Sequence, residues 1–146
     1  MDEVEYAGFD DRLIADIVDG LLGFLMSLAG FLAFDKWVFH LDMTALAEGE
    51  RPVGAFDLAA LIWFVFNMTY LVGRTGQSWG RGYMKIKVVD YSGEPIGFWR
   101  ALFRNLFALF ISAPPIYLGF LWIIWDSSKQ AWHDKVFRTI VIRADV

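Results

Sequence analysis

Arg12, Asp16 and Asp19 recur at i, i+4 and i+7 within one apolar run, Arg12-Leu-Ile-Ala-Asp16-Ile-Val-Asp19-Gly-Leu-Leu-Gly-Phe-Leu-Met-Ser-Leu-Ala-Gly-Phe-Leu-Ala-Phe34. In a helix this spacing sets all three on one face, with Arg12 roughly 10 Å along the axis from Asp19. Burial changes how tightly a carboxylate holds its proton, and a neighbouring cation opposes that change. The trio therefore has the chemistry of a proton or cation relay. The same groups suit a structural clamp, in which Asp19 pairs with a basic residue of another segment such as Arg100 or Arg104. Each ionised Asp near the centre of a spanning helix costs about 2.5–3.5 kcal/mol on the insertion scale, and pairing is the usual fate of such charge. The clamp is the preferred reading and the relay its alternative.

His133, Asp134 and Thr139 near the C-terminus invite a metal reading. One His beside one Asp lacks the further ligands a site requires, and His40 belongs to a different connection, so no metal is expected. Asp134 reads instead as an interfacial hinge that accepts backbone or Arg hydrogen bonds. The stretch Gly73-Arg-Thr-Gly-Gln-Ser-Trp-Gly-Arg-Gly82 superficially suggests a phosphate cradle. It lacks the Gly-Lys-Ser/Thr ending and the strand–loop–helix setting of a P-loop, so its glycines read as tight turns near a lipid surface. Arg74, Arg81, Lys85, Lys87, Arg100 and Arg104 read as contacts to anionic headgroups, each worth about 1 kcal/mol near the surface. No nucleophile–base pair or paired acid and base stands in a plausible cleft, so neither enzyme activity nor a cofactor is expected. The absence of cysteine excludes disulfides and thiol chemistry.

The elements that must position these groups follow from hydropathy. Of the 146 residues 57% are hydrophobic, above the roughly 45–50% of soluble domains, and the excess is gathered in three stretches. That distribution predicts an all-α membrane protein with a single domain over residues 1–146. The first span is expected from about Leu13 to Phe39 and the second from Phe56 to Val72, with Trp37 and Tyr70 as interfacial anchors. Gly23, Ser27 and Gly30 form a small-residue strip suited to close helix approach, with Asn67 and Thr69 across that seam. Met84 to Asp90 alternates as a strand, and Tyr91-Ser-Gly follows as a turn, which predicts a short interfacial β-hairpin. Phe98 to Phe107 carries Arg100 and Arg104 at i, i+4 and reads as an amphipathic interfacial helix. The third apolar run, Leu106 to Trp125, is interrupted by Pro114-Pro115. It can form a kinked single span or a broken segment that returns to the same side; both remain open at this level. The basic second connection places the N-terminus in the cytoplasm under the positive-inside bias. The net charge of −4, with basic clusters flanking apolar runs, leaves no nucleic-acid footprint.

Four blocks of the chain resemble the RDD family of small membrane proteins. They are Tyr6-Ala-Gly-Phe-Asp-Asp-Arg12 through Asp19, Gly76 through Pro95, Arg100-Ala-Leu-Phe-Arg104-Asn, and Gln130-Ala-Trp-His-Asp134 through Ile142. By that match the family's named arginine and aspartates are Arg12, Asp19 and Asp134, whereas Asp16 departs from the usual uncharged or aromatic residue. The family has no agreed biochemical activity; transport of an unidentified ligand, and sodium or proton exchange for some members, are what the resemblance implies. The expectation is a multi-pass protein of the inner (plasma) membrane, without catalytic chemistry, serving as an accessory, assembly or structural subunit of a larger membrane complex. The alternative is an oligomeric transporter or ion-coupled exchanger using Asp19. Expected partners are the bilayer with its anionic headgroups and other membrane subunits or copies of the same chain, and not nucleic acid.

Overall fold

The computed structural model describes residues 5–35, 54–112 and 118–144. The first helix, α1 (Phe9–Gly30), opens with Asp10 and Asp11 in its first turn, where the helix dipole favours negative charge. The Gly8 N–H donates to the Asp11 carboxylate at 3.2 Å, which fixes the entry. A π-helical turn, Phe31–Asp35, extends it. The second apolar stretch is built from α2 (Ala55–Trp63), a π-helical segment Phe64–Leu71 and α3 (Val72–Thr75). By length and composition Phe9–Ala33 and Phe56–Thr75 are each able to cross a membrane. Both expected spans therefore lie on helices, while Trp37 and the expected end at Phe39 fall outside the described residues.

Among its described residues the third apolar run is helical up to Ser112 and again from Leu118. Helix α5 (Phe98–Phe107) passes into a π-helical turn, Ala108–Ser112; helix α6 (Leu118–Leu121) and the 3₁₀ turn Trp122–Ile124 follow. The expected break at Pro114-Pro115 falls outside the described residues.

Two short helices and two strands complete the chain: α4 (Trp79–Tyr83), β1 (Ile86–Asp90), α7 (Trp132–Val136) and β2 (Thr139–Arg143). The expected hairpin is corrected here. Strand β1 forms as read, but its antiparallel partner is β2, in the register Ile86↔Arg143, Val88↔Val141 and Asp90↔Thr139. The turn after β1 does close, with the Gly93 N–H donating to the Asp90 carbonyl at 3.1 Å and the Asp90 N–H to Glu94 at 3.0 Å. Pro95 then has no N–H to continue a ladder, and Ser92, Gly93 and Glu94 offer no apolar face to pack. The β-branched run of β2 supplies both. Residues 5–7 add a further edge to β2 through Ala7 N–H to the Val141 carbonyl (2.9 Å) and Arg143 N–H to the Glu5 carbonyl (3.0 Å).

The chain divides into two compact units, residues 1–19 with 65–146 and residues 20–64. In the first, Ala7, Ala15, Val72, Ile86, Val88, Ile96, Ala101 and Val141 form a buried apolar cluster. In the second, Gly23 lets the Trp63 indole approach: a Cβ on Gly23 would lie 2.6 Å from Trp63 Cδ1. Phe24 and Phe56 meet edge to face at 6.4 Å. Ser27 donates to its own helix at the Gly23 carbonyl, 2.8 Å away.

Ile86 is fully buried and Ile62 largely exposed. Truncation of Ile86 to Ala is expected to cost about 2–5 kcal/mol, and Ile62→Ala to stay within about 0.5 kcal/mol. Thermal unfolding in detergent micelles compares the two.

Candidate functional site

Asp134 stands in the first turn of α7, where its Oδ2 accepts the Ala131 N–H at 3.1 Å. From this position one carboxylate gathers four elements. Arg12, at the start of α1, donates through Nη1 to Oδ2 at 2.5 Å. Arg104, in the last turn of α5, donates through Nη2 and Nε to Oδ1 at 2.5 and 3.0 Å. Thr139, the first residue of β2, donates its hydroxyl to Oδ1 at 3.1 Å. The Asp134 side chain is fully buried. Its lone pairs are filled by charge-assisted bonds, the strong class of hydrogen bond.

Two guanidiniums on one carboxylate leave one positive charge in excess, and backbone and side-chain oxygens solvate it. Arg12 Nη2 donates to the Lys129 carbonyl at 2.5 Å and Nε to the Ala7 carbonyl at 3.3 Å. Arg104 Nη1 donates to Asn105 Oδ1 at 3.3 Å. His133 lies beside the cluster, Nε2 at 3.7 Å from Asp134 Oδ1, its ring 5.0 Å from that of Phe120. Burial, opposed by Asp134 and reinforced by Arg104 and Arg12, pushes its imidazole down to about 3, so His133 is neutral at pH 7. Burial alone would raise the Asp134 carboxyl; the charges of Arg104 and Arg12 hold it well below the ordinary carboxylate range.

A second buried polar site centres on Asp19. Its Oδ1 accepts from Asn67 Nδ2 and from the Gly80 N–H, both at 2.8 Å, and its Oδ2 accepts from the Ser78 hydroxyl. Asn67 Oδ1 in turn accepts the Trp79 N–H at 2.9 Å. Position 80 must be glycine, because a Cβ there would lie 2.0 Å from the Ala15 carbonyl oxygen. Asp16 pairs with Arg81 at 3.3 Å, and its side chain is 43% exposed.

The shared face of Arg12, Asp16 and Asp19 is real, but the three do not pair with one another. Arg12 reaches Asp134 near the C-terminus, while Asp16 and Asp19 both reach residues 78–81 and Asp19 also reaches Asn67. The expected bond from Asp19 to Arg100 or Arg104 is corrected, since Arg104 serves Asp134 and Arg100 caps carbonyls. Arg100 Nε and Nη2 donate to the Phe137 and Arg138 carbonyls at 2.7 Å each, with Asp90 3.9 Å away. The six basic residues are likewise not one headgroup-facing set. Arg74 and Lys85 are exposed, Arg74 donating to the Tyr70 hydroxyl at 3.2 Å. Lys87 is half-buried on β1, and Arg81, Arg100 and Arg104 turn to internal partners. Asn67 leaves the expected seam with the small-residue strip for Asp19, and the buried Thr69 hydroxyl has no hydrogen-bond partner among the described residues.

Ser78 and Gln130 escaped the sequence reading. Gln130 is buried and donates to the Thr139 carbonyl at 2.8 Å and the Tyr91 hydroxyl at 3.0 Å. No local pattern marks either residue, although Ser78 has the type and position of a helix N-cap. Among the described residues no group of three or more His, Asp or Glu is arranged to hold a metal ion.

Asp134→Asn leaves two buried guanidiniums without a counter-charge and is expected to cost about 3–5 kcal/mol, read as lost yield and melting temperature. The pH dependence follows from His133. Unfolded, its imidazole titrates near about 6.5, so the unfolded chain binds more protons than the folded one as pH falls from there towards about 3. Stability should decline on acidification below about pH 6.5, with Asp134 adding its loss only below about pH 4. His133→Gln is expected to flatten the first limb and keep the second in melts across that range.

The profile of the RDD family matches residues 6–138 of the chain. A proline-rich antigen of Mycobacterium leprae (strain TN) is 40% identical over 86 residues, which cover 58% of this chain and 34% of the relative. A proline-rich antigen homolog of Mycobacterium tuberculosis (strain CDC 1551 / Oshkosh) is 37% identical over 95 residues, covering 64% of this chain and 39% of the relative. The chain thus spans well under half the length of these curated relatives. No solved structure gives a significant match. That match covers most of the chain and includes the buried Arg12, Asp19 and Asp134, so the chain belongs to the RDD family.

Proposed function

We propose that this chain is a non-catalytic accessory or assembly subunit of a larger membrane complex, embedded in the inner (plasma) membrane with its N-terminus in the cytoplasm. The observation that carries the reading is the occupancy of its buried charges. Asp134 holds both Arg12 and Arg104, and Asp19 accepts three neutral donors from its own chain. A carrier of protons or sodium needs a carboxylate that exchanges its partners for the transported ion, whereas these carboxylates fasten segments together. The apolar residues left outside fit the same role. Leu13, Ile17, Leu21 and Leu25 on α1, and Leu58, Leu61 and Ile62 on α2, are exposed and suited to lipid or to neighbouring helices.

Asp19→Asn tests the reading against ion-coupled exchange. The substitution keeps one oxygen for the Asn67 and Gly80 donors but turns the other acceptor into an NH2 facing the Ser78 hydroxyl, which already accepts from the Arg81 N–H. On the proposed function, the variant loses abundance or dissociates from a complex that co-purifies in mild detergent, and wild-type proteoliposomes carry no proton- or sodium-dependent flux. Robust wild-type flux, abolished in a variant that still inserts and assembles, would replace the accessory role with exchange.

A further inference from the structure

Helix α5 is amphipathic in the inverted sense. Its charged face turns inward, Arg104 to Asp134 and Arg100 to the Phe137 and Arg138 carbonyls. Its outward face is aromatic: Trp99 is 67% exposed and Phe103 53%, their rings stacked at 6.3 Å, and Phe110 beyond the helix end is 66% exposed. A soluble surface rarely presents such a contiguous stripe. An indole at the rim of an apolar face, next to cations, is the composition of the water–lipid boundary.

An exposed cation, Arg138, is supplied by the turn that α5 itself holds. Phe137 meets Phe107 edge to face at 6.0 Å, and the two Arg100 bonds tie the Phe137–Arg138 backbone to the helix. That turn carries the exposed Val136 and Arg138, while Lys135 pairs with Asp126 and lies 5.8 Å over the Trp122 ring. Lys and Arg near an anionic leaflet add about 1 kcal/mol each.

We propose that α5 lies in the plane of the bilayer surface, with Trp99 and Phe103 in the upper acyl region and the exposed Arg138 of the turn it holds among anionic headgroups. The inference rests on the membrane reading above and goes beyond it by fixing which side of α5 meets lipid and which side meets the protein. The internal arginines then hold the helix to the protein, leaving its aromatic side to hold the protein to the lipid.

The chain has no cysteine, so single substitutions can each carry one nitroxide label. The full-length protein is placed in nanodiscs containing phosphatidylglycerol, labelled at Trp99→Cys, Phe103→Cys, Leu21→Cys, Ile62→Cys or Glu94→Cys. Collision with oxygen is compared with collision with a water-soluble nickel chelate. The expected oxygen-to-nickel ratios at 99 and 103 are several-fold above that at Glu94 and below those at Leu21 and Ile62. Water-like ratios at 99 and 103 with deep values at 21 and 62 would overturn the placement of α5 and leave the membrane reading standing. Protection from both reagents at 99 and 103 would also overturn it, by showing a protein partner on that face. Water-like values at 21 and 62 would remove both readings together.

Discussion

A single buried carboxylate between two guanidiniums organises the larger compact unit. Asp134 receives Arg12 from the first helix, Arg104 from the amphipathic helix, Thr139 from the terminal strand and a backbone N–H of its own helix. Desolvating these three charges carries a heavy penalty, which close geometry and a hydrogen bond from each guanidinium nitrogen offset. The carbonyls of Ala7 and Lys129 take the excess positive charge of Arg12, so the backbone of two further segments is placed by the same requirement. The first helix, α5 and α7 cannot separate without exposing an unpaired ion.

The Asp19 site works by a different principle. Its carboxylate is met by neutral donors, two side chains and one backbone N–H, and the close approach of Gly80 to the Ala15 carbonyl admits no Cβ. Asn67, which lies in a π-helical stretch, supplies both a donor to Asp19 and an acceptor for Trp79. Polar groups in a low-dielectric setting are secured by such mutual satisfaction, and a partly filled network would cost more than an apolar one. With Asp16 held by Arg81, beside the Ser78 and Gly80 partners of Asp19, all three residues of the charged face become attachment points, two of them for one segment.

This arrangement also accounts for the surface. Because the arginines of α5 are drawn inward by a carboxylate and two carbonyls, the aromatic side of that helix is left outward. The amphipathic pattern was legible from the i, i+4 arginines, but its direction was not. Periodicity identifies two faces of a helix without saying which one the rest of the protein covers. The hairpin reading went astray for a related reason. Alternation marked β1 correctly, yet a strand's partner depends on what else offers a matching edge, and Pro95 denied it to the adjacent segment.

By itself the sequence determined the apolar helices, strand β1, the amphipathic helix and the one-sided spacing of Arg12, Asp16 and Asp19. These are properties of consecutive residues and follow from 3.6- and 2-residue periods and transfer energies. Resemblance to the family picked out Arg12, Asp19 and Asp134 without saying which of them meet. Tertiary structure alone decided that Arg12 joins Asp134 across 122 positions of chain, and that Asp19 accepts from Asn67, Ser78 and Gly80. Charge sign and local spacing are the same for any of several pairings; only packing, which brings some oxygens and nitrogens within hydrogen-bond reach and keeps the others apart, chooses among them.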